Sequence, residues 1–194
     1  MLSPWNYVHT PGSNGVTLNQ TRWNLCGYAT ATNGAPSANT IEAVPFVGGG
    51  NLTISSLLVE LVSGGSNGSA RLGIYQNTSP GVLYPTTLVS QLEFSFLGTA
   101  AGFTGGSLPA PVTLNDGLLW LAILPSVSKL MATRTFTAAT ASSPRMLLGY
   151  GAPFTNQPPF KSITRAAAYG PLPATFPAGG TTSNTAPAPF IFVR

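Results

Sequence analysis

Hydrophobic and polar side chains alternate along the middle of the chain. From Leu52 to Val62, the run LTISSLLVELV sets Leu57, Val59 and Leu61 on one face. A period of two marks a half-buried β-strand. Ala70, Leu72 and Ile74 form the inward set of a second strand, and Leu88, Ser90, Leu92, Phe94 and Phe96 that of a third. Gln91, Glu93 and Ser95 face outward on the third. Leu118 to Leu124 is apolar at every position, which predicts a central strand covered on both faces. Pro111 to Leu114 reads as a short edge strand, because proline lacks the ladder donor. Arg145 to Tyr150 and Phe190 to Val193 are further strand candidates.

Between these runs stand turn signals. Gly64 to Gly68 predicts a loop joining antiparallel strands, and Asn77 to Gly81 a turn in which proline presets φ and glycine accepts φ > 0. Gly98 to Gly106 reads as a small-residue loop, and Asn115-Asp116-Gly117 as the strongest hairpin signal in the chain. Ala166 to Ala168 is the single weak helical hint, ended by Gly170-Pro171. No segment has the length an isolated helix needs. The expected fold is all-β, an antiparallel, jelly-roll-like β-sandwich. Residues 1–40 form an irregular N-terminal arm for docking and oligomer contacts, residues 41–194 the sandwich domain, and the C-terminal part is rich in proline and glycine. An outer-membrane barrel is disfavoured by the prolines and the irregular ends.

Composition narrows the function. Of 194 residues, 6% are charged, 43% hydrophobic and 10% aromatic, with 22 glycines and 18 prolines. Ordinary domains carry roughly 25% charge. Disordered tails have high net charge and little apolar mass, the reverse of this chain. The eight Lys and Arg residues, for a net charge of +4, are scattered singly, whereas nucleic-acid binders cluster them on one face. No nucleic-acid partner is expected. The longest apolar run, Leu118 to Leu124, is far too short for a membrane helix, and no membrane partner is expected. MLSPWNYVHTPG lacks the basic and apolar regions of a secretion signal, which predicts synthesis in a cytoplasm without standard export.

Candidate chemistry is sparse. The titratable groups on offer are His9, Cys26, Glu42, Glu60, Glu93 and Asp116. His9 lies in the irregular arm and no Gly-x-Ser-x-Gly elbow accompanies it, so no nucleophile–base arrangement is expected. The lone Cys26 reads as a small hydrophobe. Glu60 and Glu93 invite comparison with a glycosidase pair, but two solvated carboxylates, with Arg71 as a partner, explain them better. Asp116 belongs to its turn. Phosphate loops and clustered metal ligands are missing. No catalytic residue, cofactor or metal is expected, and the chain is not read as an enzyme.

Surface physics remains. A surface of Ser, Thr, Asn, Gly, Pro and Ala offers little charge repulsion and little side-chain entropy to lose on contact. It suits packing against other proteins in symmetric assemblies. Trp5, Tyr7, Trp23 and Tyr28 are the expected interface anchors of the arm. Tyr75, Tyr84 and Tyr150 are candidates for stacking on a glycan. Trp120, on a strand apolar throughout, is assigned to the core.

Five stretches together resemble a β-sandwich module of bacteriophage virion proteins. They are Leu57 to Val62, Ala70 to Tyr75, Ser79-Pro80-Gly81, Pro111 to Leu114 and Gly117 to Ile123. The tail, Leu172 to Gly180 and then Ala188 to Arg194, is similar to the closing segment of such modules. The resemblance spans residues 41–194. It implies a jelly roll of the capsid-decoration or tail-fibre type, commonly trimeric, in a virion assembled in the host bacterial cytoplasm. Its implied partners are other virion proteins, copies of itself and a host-surface glycan. The expected role is decorating or cementing a capsid, or an accessory part of a tail. The alternative is a glycan-binding, receptor-recognising or lectin-like domain.

Overall fold

The computed structural model describes residues 29–48, 52–77, 84–114, 117–136, 162–183, 188–189 and 191–194. The described residues form strands and no helix. In chain order the strands are β1 (Ala29–Gly34), β2 (Thr40–Gly48), β3 (Leu52–Gly65), β4 (Gly68–Gln76), β5 (Thr87–Phe96) and β6 (Gly102–Leu114). They continue as β7 (Gly117–Pro125), β8 (Lys129–Phe136), β9 (Ser162–Ala166), β10 (Thr181–Ser183), β11 (Ala188–Pro189) and β12 (Ile191–Val193).

The pairing has a simple rule. β1 pairs antiparallel with β8, β2 with β7, β3 with β6 and β4 with β5. These four pairs are the rungs of one long antiparallel ribbon folded back between β4 and β5. Rolling that ribbon into two sheets gives β1-β8-β3-β6 in sheet A and β2-β7-β4-β5 in sheet B. That order is a jelly roll, the double-sheet architecture expected above. Sheet B is extended past β2 by β9 and β10.

Sheet A has an inserted piece. Leu57 and Val59 of β3 pair with β6 on one side and with β12 on the other. Farther along, Leu61 pairs with β8 on that same second side. β12 and β11, which pairs with β8, therefore wedge into the gap where β3 and β8 separate. A bulge in β3 marks the end of the wedge. The backbone N–H groups of Ser55 and Ser56 both donate to the Arg194 carbonyl oxygen, at 2.6 and 2.9 Å. Bulges place two residues against one and leave a donor to be satisfied; Arg194 supplies the acceptor.

Two apolar layers result. The first lies between the sheets. Ile54, Leu57, Val59 and Leu61 of β3 meet Leu72 and Ile74 of β4, Leu92, Phe94 and Phe96 of β5, and Leu119, Leu121 and Ile123 of β7. The second lies on the outer face of sheet B, where Ile41, Ala43, Tyr75, Trp120, Ala122, Leu124 and Ile163 pack beneath Leu172 and Phe176. β7 thus has apolar cover on both faces, as its uninterrupted apolar run requires. Trp120 is a core residue, as expected.

The structure corrects several expectations. β3 and β4, either side of Gly64–Gly68, and β6 and β7, either side of the hairpin signal, do not pair, because the strands of each couple lie in different sheets; Asn115 and Asp116 themselves lie outside the described residues. β7 needs neighbours that cover two apolar faces, and only the interior of sheet B supplies them. Tertiary burial overrides the local turn preference. The small-residue loop is shorter than expected, since β6 begins at Gly102. Gly105, at φ 146°, lies where a β-carbon would collide with the Leu57 carbonyl, so glycine here permits pairing rather than ending it. In β5 the alternation slips at a bulge facing Ile74 and Tyr75. Val89 then turns to the inter-sheet core and Leu88 to the outer layer. The boundary at residue 40 falls inside the sandwich, for β1 is a strand of sheet A. Ala166 closes β9 rather than opening a helix. Arg145 to Tyr150 lies outside the described residues.

Candidate functional site

The most elaborated surface is the outer face of sheet B. Residues 167–180 leave β9, cross this face and return into β10 as a strap. Glycine and proline punctuate the strap, Gly170-Pro171-Leu172-Pro173 and Pro177, which keeps it out of helix and sheet ladders. Its two large apolar side chains, Leu172 and Phe176, are buried in the outer layer.

The strap is held largely by its backbone. Gln91 donates Nε2 to the Leu172 carbonyl at 3.5 Å and accepts from the Leu172 N–H at 2.7 Å. Tyr75 Oη donates to the Pro173 carbonyl at 2.9 Å. The Leu88 N–H donates to the Ala174 carbonyl, and the Phe176 N–H to the Thr86 carbonyl. Tyr84 Oη donates to the Pro177 carbonyl at 2.6 Å and accepts from the Gly180 N–H at 2.8 Å. Both tyrosine rings meet Phe176 edge to face, at 5.3 and 5.6 Å between centroids, a favoured aromatic geometry. Burial raises the Tyr75 hydroxyl far above its ordinary range, so it stays a neutral donor.

These positions correct two glycan candidates. Tyr75 is 0% exposed and offers no ring face to a sugar. Tyr84 is half-buried, with its ring on Phe176 and its hydroxyl committed to the strap. Both tyrosines are strap anchors. Tyr150, the third candidate, lies outside the described residues, as do the arm anchors Trp5, Tyr7, Trp23 and Tyr28, and His9, Cys26 and Asp116.

Beside the strap runs a polar ladder. Arg71 of β4 stands opposite Glu93 of β5, with Nη2 to Oε2 at 2.6 Å. Tyr169 Oη donates to the other oxygen of Glu93 at 2.6 Å. Burial, then the bond to Glu93 and its charge, push the Tyr169 hydroxyl up to about 12. Ser69 and Ser95 share a hydrogen bond at 3.0 Å one rung away. Of the two carboxylates for which Arg71 is the expected partner, Glu93 is the one it meets.

Glu60 and Glu93 do not converge. Glu60 faces outward from sheet A beside Leu58 and Val62, opposite Phe103, while Glu93 faces outward from sheet B. The third described carboxylate, Glu42, points inward, 7% exposed, and accepts from Ser162 Oγ at 2.6 Å. Desolvation raises its carboxyl from 4.5 to about 7, against a smaller lowering by Ser162. With its three carboxylates on three separate surfaces, the described part of the chain assembles no paired-carboxylate geometry. Among the described residues no three His, Cys, Asp or Glu side chains gather at one point.

Sequence reasoning missed two buried polar groups. One is the Glu42–Ser162 pair, formed because β2 and β9 are neighbours 120 residues apart. The other is Lys129, 0% exposed, whose Nζ donates to the Gly64 and Gly98 carbonyls at 2.6 and 2.5 Å. Nothing local marks Lys129 out from the other singly scattered cations, because the carbonyls it meets lie 65 and 31 positions away. In comparison with known proteins, the chain matches no family model, no curated protein and no solved structure at a significant level.

Proposed function

We propose that the chain is a non-catalytic structural protein of a bacteriophage virion. It decorates or cements a capsid, or forms an accessory part of a tail, through low-charge interfaces with its own copies and other virion proteins. One observation carries the reading: the exposed positions of β3 and β6 on sheet A are uncharged, and large apolar side chains stand open on β6 and just past β5. Thr53, Ser55, Ser107, Ala110 and Thr113 are exposed on sheet A, while Leu97 and Phe103 are 62% and 59% exposed. A surface that sheds little water-bound charge on contact favours assembly. The edge strand β6 carries Pro109 and Pro111, which blunt uncontrolled edge-to-edge growth and leave side-chain faces as the means of association.

Size-exclusion chromatography with light scattering tests this. A trimer of 20.0 kDa chains is the expected species. A monomer that persists at high concentration counts against assembly. Co-sedimentation with purified particles tests the virion assignment.

A further inference from the structure

We propose that the outer face of sheet B is an acceptor groove for an extended, proline-rich segment, and that residues 171–177 of a second copy fill it in exchange for the chain's own. The inference goes beyond the virion reading, because it names a surface and its occupant.

Besides its apolar layer, the groove has the features of a peptide site. Its hydrogen bonds run to the occupant's backbone at Leu172, Pro173, Ala174, Phe176 and Pro177. The antiparallel bridge between Thr87 and Thr175 is strand addition to the β5 edge, a known mode of peptide capture. Two side chains, Leu172 and Phe176, fill the pockets. Gly73 forms the floor beneath Leu172, where any β-carbon would collide with Leu172 Cδ1.

Exchange is chemically neutral. These bonds reach β4, β5, Thr86 and Tyr84, remote in sequence from the strap, so a second copy's segment makes the same set of bonds. Cis and trans states then differ by chain geometry and concentration, the condition for segment exchange. Both ends can turn. A side chain at Gly170 would meet nothing within 4 Å, and Gly179 sits at φ 74°, where glycine adapts most readily. Half of a lifted 14-residue loop spans about 23 Å. A second copy is the natural occupant, because the one segment seen to fit the groove is carried by every copy.

The test uses three full-length variants. Leu172→Ala with Phe176→Ala weakens the strap and keeps the groove. Gly73→Val blocks the groove and keeps the strap. The third carries all three changes. A tagged strap-deficient chain is mixed with untagged groove-blocked chain, and retention is compared with that of the triple variant. About tenfold greater retention is expected from exchange. Retention equal to the triple variant overturns the proposal. Should Gly73→Val fail to fold, untagged wild-type chain replaces it as the strap donor, judged by the same comparison. A synthetic peptide of residues 168–180, added in excess, should raise the melting temperature of the strap-deficient chain by about 5 °C. No shift also overturns the proposal. If exchange fails while the wild-type chain keeps its oligomeric mass in light scattering, assembly stands on other surfaces.

Discussion

Glu42 shows how one buried carboxyl sets a pH response. Its side chain lies on the inner face of β2, with Ser162 Oγ as its hydrogen-bond donor. Desolvation favours the neutral acid, and the carboxyl titrates near 7 instead of 4.5. The folded protein therefore keeps a proton that the unfolded chain releases. Between about 4.5 and 7 the unfolded state binds fewer protons, so stability falls as pH rises across that window. The loss approaches about 3 kcal/mol by pH 8. Urea denaturation at pH 5 and pH 8 should show it, and Glu42→Gln should flatten the difference by stabilising the fold at pH 8. An equal pH dependence in the variant rejects Glu42 as the source. Asn39 plays a different part. At φ 55° it occupies the left-handed region, which asparagine tolerates better than most residues. Its N–H bonds the Pro125 carbonyl, its carbonyl receives the Ala167 N–H, and its Oδ1 receives the Tyr169 N–H. One turn residue thereby ties β2, β7 and the start of the strap together. Neither role is visible in local sequence, because each depends on partners about 85 to 130 positions away.

At the scale of elements, periodicity was informative and connectivity was not. The inward sets of β3 and β4 and the double-sided apolar run of β7 could be read directly, since each strand reports its own burial at a period of two. The partner of each strand could not. The Gly64–Gly68 and Asn115–Gly117 signals mark reversals, but a reversal within one sheet and a crossing between sheets use the same turn residues. The bulge at Val89 likewise left no mark, because Leu88 and Val89 are equally apolar. The strap is legible as a proline-rich stretch, while its role is hidden: in sequence the tyrosines that hold it are only candidates for stacking on a glycan. Lys129 joins elements in the same hidden way. Its ammonium group binds the Gly64 carbonyl of β3 and the Gly98 carbonyl after β5. Gly98 also receives the Gly64 N–H at its carbonyl and donates its own N–H to Asn67 Oδ1 at 2.6 Å. Replacing Lys129 with Met would fill the space and leave two carbonyls without this donor. A loss of about 1–3 kcal/mol is expected, since two charge-assisted bonds go while the Gly98 carbonyl keeps the Gly64 N–H as donor. Thermal unfolding measures it. A loss under about 0.5 kcal/mol, the size of a surface change, would mean that water replaces the ammonium group at both carbonyls.

For the whole molecule, the jelly roll explains where so little charge goes. Of the described charged side chains, Lys129 and Glu42 are buried and Arg71 and Glu93 neutralise each other, which leaves Glu60 and the exposed Arg165 among those on the two sheets. Few charges remain to keep copies apart. Sheet B hides its outer face beneath the strap, whereas sheet A leaves Phe103 at its edge, stacked edge to face on Phe192 at 4.9 Å. Phe192 is buried and Phe103 is not, so Phe103 is the outermost ring of this pair. An aromatic side chain in that setting gains most from cover by a neighbouring surface. Phe103→Glu separates folding from assembly. In the isolated chain the change replaces a largely exposed ring at a strand edge, and the melting temperature should move by at most about 2 °C. Glu60 is the intrachain cross-strand neighbour, so that small shift includes its repulsion with the new carboxylate; at a covered interface the same carboxylate would be buried without a partner, at a much larger cost. Light scattering should then report monomer at concentrations where the proposed wild-type trimer forms. An unchanged mass would exclude this edge of sheet A from the interface and leave the remaining low-charge faces as the route to assembly.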